Sequence, residues 1–337
     1  MYVTPRPDVR EDPSYGIRLG LTGVFAYGAI PLLDPALPPI IAALPLGLIA
    51  AQRRAFDPAK LIGGVVAMIV LPWIMTWLVV LLRPMPLAHV AVIWGIYFAG
   101  FLMILRTGAQ AGMLIVIVTV LFSVMGMHGS ATVETLRDGF VQAAVVALVV
   151  GPIVYLLVPA QTREKHTDDP MPGQGNAVTG AIIRASVLLG LSFWLYAVMD
   201  PSDLMMAVIA AMVLVFPTRE SVFSEALQRV RAPLCGGALK LAILALFILS
   251  PHLPIILGLI FLCGLWLGQK MLFGPHPSMV YQYAFSVVLA LVAGALSTQD
   301  AGYATFARVV LTLTGAFRII WSSMTAKAQG FPQPYQV

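Results

Sequence analysis

Residues 60–82 read KLIGGVVAMIVLPWIMTWLVVLL, with one charge, Lys60, at the first position. A helix needs roughly 20 such residues, at 1.5 Å each, to cross the hydrocarbon core of a bilayer. In water the same run would have to be covered on every side. Arg53 and Arg54 precede it and Arg83 follows it, so charge returns where the apolar run stops.

The rest of the chain repeats this pattern. Apolar runs fall near 15–33, 36–52, 60–82, 87–105, 110–127 and 136–158, and again near 178–199, 202–217, 231–250, 253–272, 275–297 and 304–325. Of the 337 residues, 59% are hydrophobic and 10% charged, and the mean hydropathy is +0.90. Soluble domains carry about 25% charged residues, so this chain has too few charges to coat a water-facing surface. The sequence predicts an all-α polytopic membrane protein of about twelve transmembrane helices. The net charge of +5 calls for no nucleic acid, because Lys and Arg at the cytoplasmic ends of spans give the same balance. Residues 1–14 are polar and contain proline, unlike a signal peptide. Cys235 and Cys263 lie inside apolar runs, which argues against a disulfide or a thiolate metal site.

Orientation is read from basic residues. With the N-terminus in the cytoplasm, the inside segments hold Arg6, Arg10, Arg53, Arg54, Lys60, Arg106, Arg163, Lys165, Arg219, Arg229, Arg231, Lys270 and Lys327, while the outside turns hold Arg83 and Arg137, plus Arg308 at a helix start. Both termini are therefore expected inside, in an inner-membrane protein.

The two sets of runs align at an offset of 166, as in Arg184 against Arg18. The same offset carries Asp34-Pro35 to Asp200-Pro201, Arg53 to Arg219, Gly108 to Gly274 and Phe140 to Phe306. Gly63-Gly64 meets Gly236-Gly237 after seven extra residues. Six spans per unit is an even number, so two six-helix repeats would share one orientation, with a pathway expected where they meet. The expected organisation is a tail (1–14), a first repeat (15–159), a cytoplasmic linker (160–177), a second repeat (178–326) and a tail (327–337).

The repeat unit resembles the fusaric acid resistance / aromatic acid exporter superfamily, in the manner of its short DUF2955-type members. The resemblance rests on Ile183-Arg184, on Pro217-Thr218-Arg219, and on the basic segment Ala226 to Arg231 that leads to Gly236-Gly237. Ile17-Arg18, Gln52-Arg53-Arg54 and Gly63-Gly64 are the worn counterparts in the first half. Two departures stand out. Larger relatives carry a soluble cytoplasmic domain, and Ala232-Pro233 stands where the family often has Gly-Thr. The resemblance implies efflux of aromatic or other organic acids, with a periplasmic membrane-fusion adaptor and an outer-membrane channel as expected partners. Distant likeness to plant malate-type anion channels keeps a channel open.

Several residues carry the expected chemistry. Arg18, Arg53, Arg184 and Arg219 sit at cytoplasmic helix ends and either ring a carboxylate-binding mouth or snorkel to headgroups. Lys240 lies about 10 Å into its helix, where a charge costs on the order of 2–3 kcal/mol unless it meets a partner or a wet cavity. Its reading is anion binding or proton coupling, against snorkelling or pairing with a carbonyl. Tyr281, Gln282 and Tyr283 either stack on an aromatic substrate or belong to the interfacial aromatics. Asp34-Pro35, Asp57-Pro58 and Asp200-Pro201 read as helix starts. Gly16/Gly20, Gly108/Gly112 and Gly264/Gly268 read as close-packing pairs. The five histidines show no ligand spacing and no P-loop is present, so neither a metal, a cofactor nor an enzyme activity is expected. The function expected is a secondary efflux transporter of organic, aromatic carboxylic acids. A passive anion channel and a non-transporting subunit of an envelope complex are the alternatives. Apart from the substrate and the lipid bilayer, a homodimer stays open as a partnership.

Overall fold

A computed structural model describes residues 12–50, 52, 55–107, 110–161, 176–198, 235–247, 252–275 and 278–297. Among these the fold is all-helical: α1 (Tyr15–Gly28), α2 (Ile30–Leu33), α3 (Pro38–Ala50), α4 (Pro58–Leu82), α5 (Pro86–Thr107), α6 (Gln110–His128), α7 (Ser130–Leu157), α8 (Ala177–Val198), α9 (Cys235–Phe247), α10 (Leu253–Phe273) and α11 (Ser278–Ser297). Among the described residues, seven helices are long and apolar enough to cross a membrane, counting Tyr15–Leu33 as one. The chain is a multi-pass membrane protein. The spans read at 202–217 and 304–325 lie outside the described residues.

Local sequence sets most of the ends. Asp57 caps α4, its carboxylate accepting from the Ala59 N–H at 3.2 Å, with Pro58 in the first turn. Asp34 does the opposite of what its Asp-Pro pair suggests. It closes α2 in the left-handed region at φ 41°, its N–H bonded to the Ile30 carbonyl at 3.0 Å, and α3 begins only at Pro38. The proline that follows disfavours a helical residue before it, and Asp tolerates the left-handed region, so this pair stops a helix rather than starting one. Another departure is α7, which begins at Ser130 rather than near 136. Hydropathy marks where the bilayer starts, while the helix runs on to a turn at Gly129. There the Thr132 hydroxyl donates to the Met125 and Gly129 carbonyls at 2.8 and 2.7 Å.

Two apolar clusters build the bundle, and α3 is wedged between them. Ile40, Ile41 and Ile49 face a cluster formed with α4 to α8. Ala42, Leu46 and Ala50 face a second cluster formed with α1, α9, α10 and α11. A helix covered on both sides is apolar all round, which explains how a 13-residue segment with no polar face is held. The large apolar side chains left outside, such as Trp73, Trp77, Leu156 and Leu262, suit lipid.

The first helix packs across the molecule. α1 lies on α10, while α8 lies on α5 and α6. Gly16 and Gly20 face Gly268 and Gly264, so close that a Cβ on Gly268 would lie 2.7 Å from the Gly16 Cα. The sequence-level pairing of these glycines as packing residues is what the structure shows. Gly108 lies outside the described residues, and Gly112 packs on Gly100 of α5 instead. Gly268→Ala must push α1 from α10, and the expected loss is about 1–3 kcal/mol. Gly258→Ala on the same helix meets nothing within 4 Å and should be neutral or gain up to about 1 kcal/mol from helix propensity. Thermal unfolding in detergent compares the two.

Candidate functional site

α1 begins where α3 and α7 finish, and polar side chains collect at that end. Asp12 opens the turn into α1: its carboxylate accepts from the Ser14 N–H at 3.0 Å and its carbonyl from the Tyr15 N–H at 3.0 Å. One helical turn on, Arg18 points back to it. Arg18 Nη1 donates to Asp12 Oδ2 at 2.8 Å, and the Gln161 backbone N–H donates to the same oxygen at 3.1 Å. The guanidinium lies over the Tyr155 ring of α7, 4.7 Å from its centre. Phe56 lies against the same ring, with centroids 4.9 Å apart.

The end of α3 is held by phenols. A helix C-terminus leaves its last carbonyls without intrahelical partners. Tyr15 donates to the Ala50 carbonyl at 3.0 Å, and Tyr155 donates to the Gln52 carbonyl at 2.7 Å. The Gln52 side-chain oxygen accepts from the Asp57 N–H at 3.3 Å. Tyr155 thus joins Arg18 on one side to Gln52 on the other.

This cluster is buried, with Asp12 0%, Arg18 1% and Gln52 3% exposed. Its donors outnumber its acceptors. Arg18 Nε and Nη2 and Gln52 Nε2 are buried and meet no hydrogen-bond acceptor among the described residues. A buried donor left unmatched costs about 1–3 kcal/mol, and more when charged. The Nε–Nη2 edge of a guanidinium is a planar fork that fits the two oxygens of a carboxylate. The arrangement therefore suits an added anion with two acceptor oxygens, beside the Tyr155 ring.

The other residues singled out from sequence are spread over several helices. Arg184 is half-buried on α8, whose neighbours are α5 and α6 rather than the helices around Arg18. Lys240 is buried, 1% exposed, on α9. That helix approaches α11 through Gly236, where a Cβ would lie 2.8 Å from the Ala284 carbonyl oxygen. On α11, Tyr281 is buried against the turn at Gly274, Gln282 is half-buried, and the Tyr283 hydroxyl reaches the Met113 sulfur of α6 at 3.7 Å. Arg53 and Arg219 lie outside the described residues. Sequence reasoning found Arg18 but missed Asp12, Gln52 and Tyr155. The Asp12-Pro13 pair ahead of an apolar run was the available signal for Asp12. Tyr155 sits 137 residues from Arg18 inside an apolar run, and nothing local marks it.

Residues 191–321 match the family model described as fusaric acid resistance protein-like. That supports the resemblance to the fusaric acid resistance superfamily over most of the second half. The matched segment takes in Lys240, Tyr281 and Gln282 but not Arg18. No curated protein and no solved structure matches the chain.

Proposed function

We propose, from the premise that residues 191–321 are fusaric acid resistance protein-like, that this chain is a secondary efflux transporter of organic acids carrying an aromatic ring. One observation carries the reading: the buried Arg18 fork, unmatched by any acceptor among the described residues, over the Tyr155 ring against which Phe56 lies. A benzoate-like molecule supplies what this cluster lacks, two acceptor oxygens on a flat apolar body. Asp12 holds Nη1 and keeps the guanidinium in register, leaving the other edge to the substrate carboxylate.

In this reading the chain is two six-helix repeats related by a two-fold axis along the membrane normal, with both termini in the cytoplasm. The helix contacts support it. The 166-residue offset carries the start of α5, Pro86, to His252, beside the start of α10, and carries Arg18 on α1 to Arg184 on α8. The packing of α1 on α10 and of α8 on α5 is then one contact made twice, as are the α5–α6 and α10–α11 pairs. Arg184, Arg219 and Lys240 would supply cationic groups from the second half, as Arg18 and Arg53 do from the first. A periplasmic adaptor would receive the exported acid.

Uptake and efflux of labelled hydroxybenzoates in proteoliposomes test this directly. Saturable carboxylate movement that the uncharged hydroxybenzyl alcohols do not inhibit is the expected outcome. Movement that never saturates and follows voltage alone would instead identify a passive anion channel, and the absence of any movement would leave a non-transporting subunit.

A further inference from the structure

A second polar cluster lies at the opposite end of the helices from Arg18, and the carboxylate site makes no use of it. Between α5, α6 and α8, Tyr97 contacts Ser123 Oγ at 3.1 Å and Ser192 Oγ at 2.9 Å. All three hydroxyls are buried. Ser123 also contacts the Val120 carbonyl at 3.1 Å, and Ser192 the Leu188 carbonyl at 2.9 Å. A hydroxyl has one proton to give. Three hydroxyls thus serve four short contacts, and the network is one proton short of filling them singly.

A cavity with room for about one water is lined by both serines and by His89. His89 Nδ1 is buried and has no hydrogen-bond partner among the described residues. His128 of α6, its Nε2 likewise buried and unpartnered among those residues, lies at the same end against the Tyr196 ring of α8, with centroids 4.9 Å apart. Besides Tyr97 on its own helix, the titratable groups brought to that end by the helices packed on α5 are His128, Tyr196 and the exposed Arg83 that follows α4. α4, α6 and α8 contain no carboxylate, so no fixed negative charge on them captures the proton in place of the imidazole.

We propose that this cavity is a proton-binding site, with His89 as the proton acceptor and the Ser123–Tyr97–Ser192 hydroxyls as its relay. A hydronium ion reaching this end gives its proton to His89 Nδ1 and leaves as water. The imidazolium then donates to a water between the serine oxygens, which supplies the donor the network lacks. Imidazole is the side chain whose ordinary titration range spans neutral pH, and an ionisable group inside a membrane protein is a default candidate for proton movement. The site lies between α5 and α6 of the first half and α8 of the second.

The inference rests on the transport reading, and one experiment separates their failures. Proteoliposomes containing the full chain are assayed for 4-hydroxybenzoate exchange across equal pH, and for net accumulation under an imposed pH gradient. Wild type is expected to do both. His89→Gln should keep exchange within about twofold while accumulation falls at least about tenfold, as expected for loss of one positioned proton acceptor. Ser192→Ala, a smaller change, should slow accumulation and spare exchange. Accumulation by His89→Gln at the wild-type level would overturn the proton site, as would loss of exchange together with accumulation, or exchange by wild type with no response to the gradient. In the last case the transport reading stands. Wild type that neither exchanges nor accumulates would sink the transport reading itself.

Discussion

Arg18→Ala is expected to be the most damaging single substitution on the described helices, abolishing carboxylate transport and costing roughly 3–5 kcal/mol of stability. The cost has a specific origin. Asp12 is 0% exposed and its carboxylate accepts three hydrogen bonds, one of them from Arg18. Without the guanidinium, that carboxylate stays buried with two backbone N–H groups and no counter-charge. The cavity left beside Tyr155 adds to the loss. Asp12→Asn in the same background should recover part of the stability, because the orphaned charge is then gone. The coupling between the two sites in such a cycle should be about 1–3 kcal/mol, as for residues in direct contact. Transport should not recover, since the fork that meets the substrate is absent from both variants. Thermal unfolding of the four proteins in one detergent gives the cycle, and proteoliposome flux gives the activity.

Tyr155 should show the second largest effect, and its two roles come apart in two variants. Tyr155→Phe keeps the ring under Arg18 and against Phe56 but loses the donor to the Gln52 carbonyl. One hydrogen bond is lost and a buried carbonyl is left unmatched, for an expected cost of about 1–3 kcal/mol. Tyr155→Ala removes the ring too, and the expected cost rises to about 3–5 kcal/mol, as for other aromatic truncations in packed interiors. Transport should separate the pair more sharply. Phe keeps the face on which the guanidinium rests, so substrate affinity should fall only a few-fold. Ala lets Arg18 swing out of register, and saturable transport should be lost. Equal transport by the two variants would mean that the ring does not position Arg18.

Much of the fold was legible in the sequence because the bilayer simplifies the reading. A run such as 60–82 has no alternative to a buried or membrane-crossing helix, and basic residues mark its ends. The short second apolar run was legible as a helix but not as the wedge between two clusters, because the faces of α3 are apolar alike. Gly16 and Gly20 could be read as packing residues, yet their partners, Gly264 and Gly268, are some 250 residues away in the chain. Asp34 shows the limit of local rules: the same Asp-Pro pair that starts α4 at Asp57 ends α2. Only the preceding turn, already helical from Ile30, decides between them.

The site was legible in part and for a similar reason. A lone Arg inside an apolar run is conspicuous, since burying it needs compensation. Its compensators are not conspicuous. Asp12 lies in a stretch that reads as tail, Gln52 beside two arginines that draw the eye, and Tyr155 in a run where tyrosine reads as an interfacial residue. The hydroxyl relay was invisible for the same cause, because Tyr97, Ser123 and Ser192 lie on three helices and single hydroxyls in spans are ordinary.

The central claim is that the Nε–Nη2 edge of Arg18 grips a substrate carboxylate. Equilibrium binding of 4-hydroxybenzoate to the purified chain, wild type against Arg18→Lys, tests it most directly, because Lys keeps the charge that balances Asp12 but has no planar fork. Affinity at least about tenfold weaker in the Lys variant, in line with losing a charged hydrogen bond worth about 1.5–3 kcal/mol, is the predicted result. Equal affinity in the two proteins would show that the acid is held somewhere else.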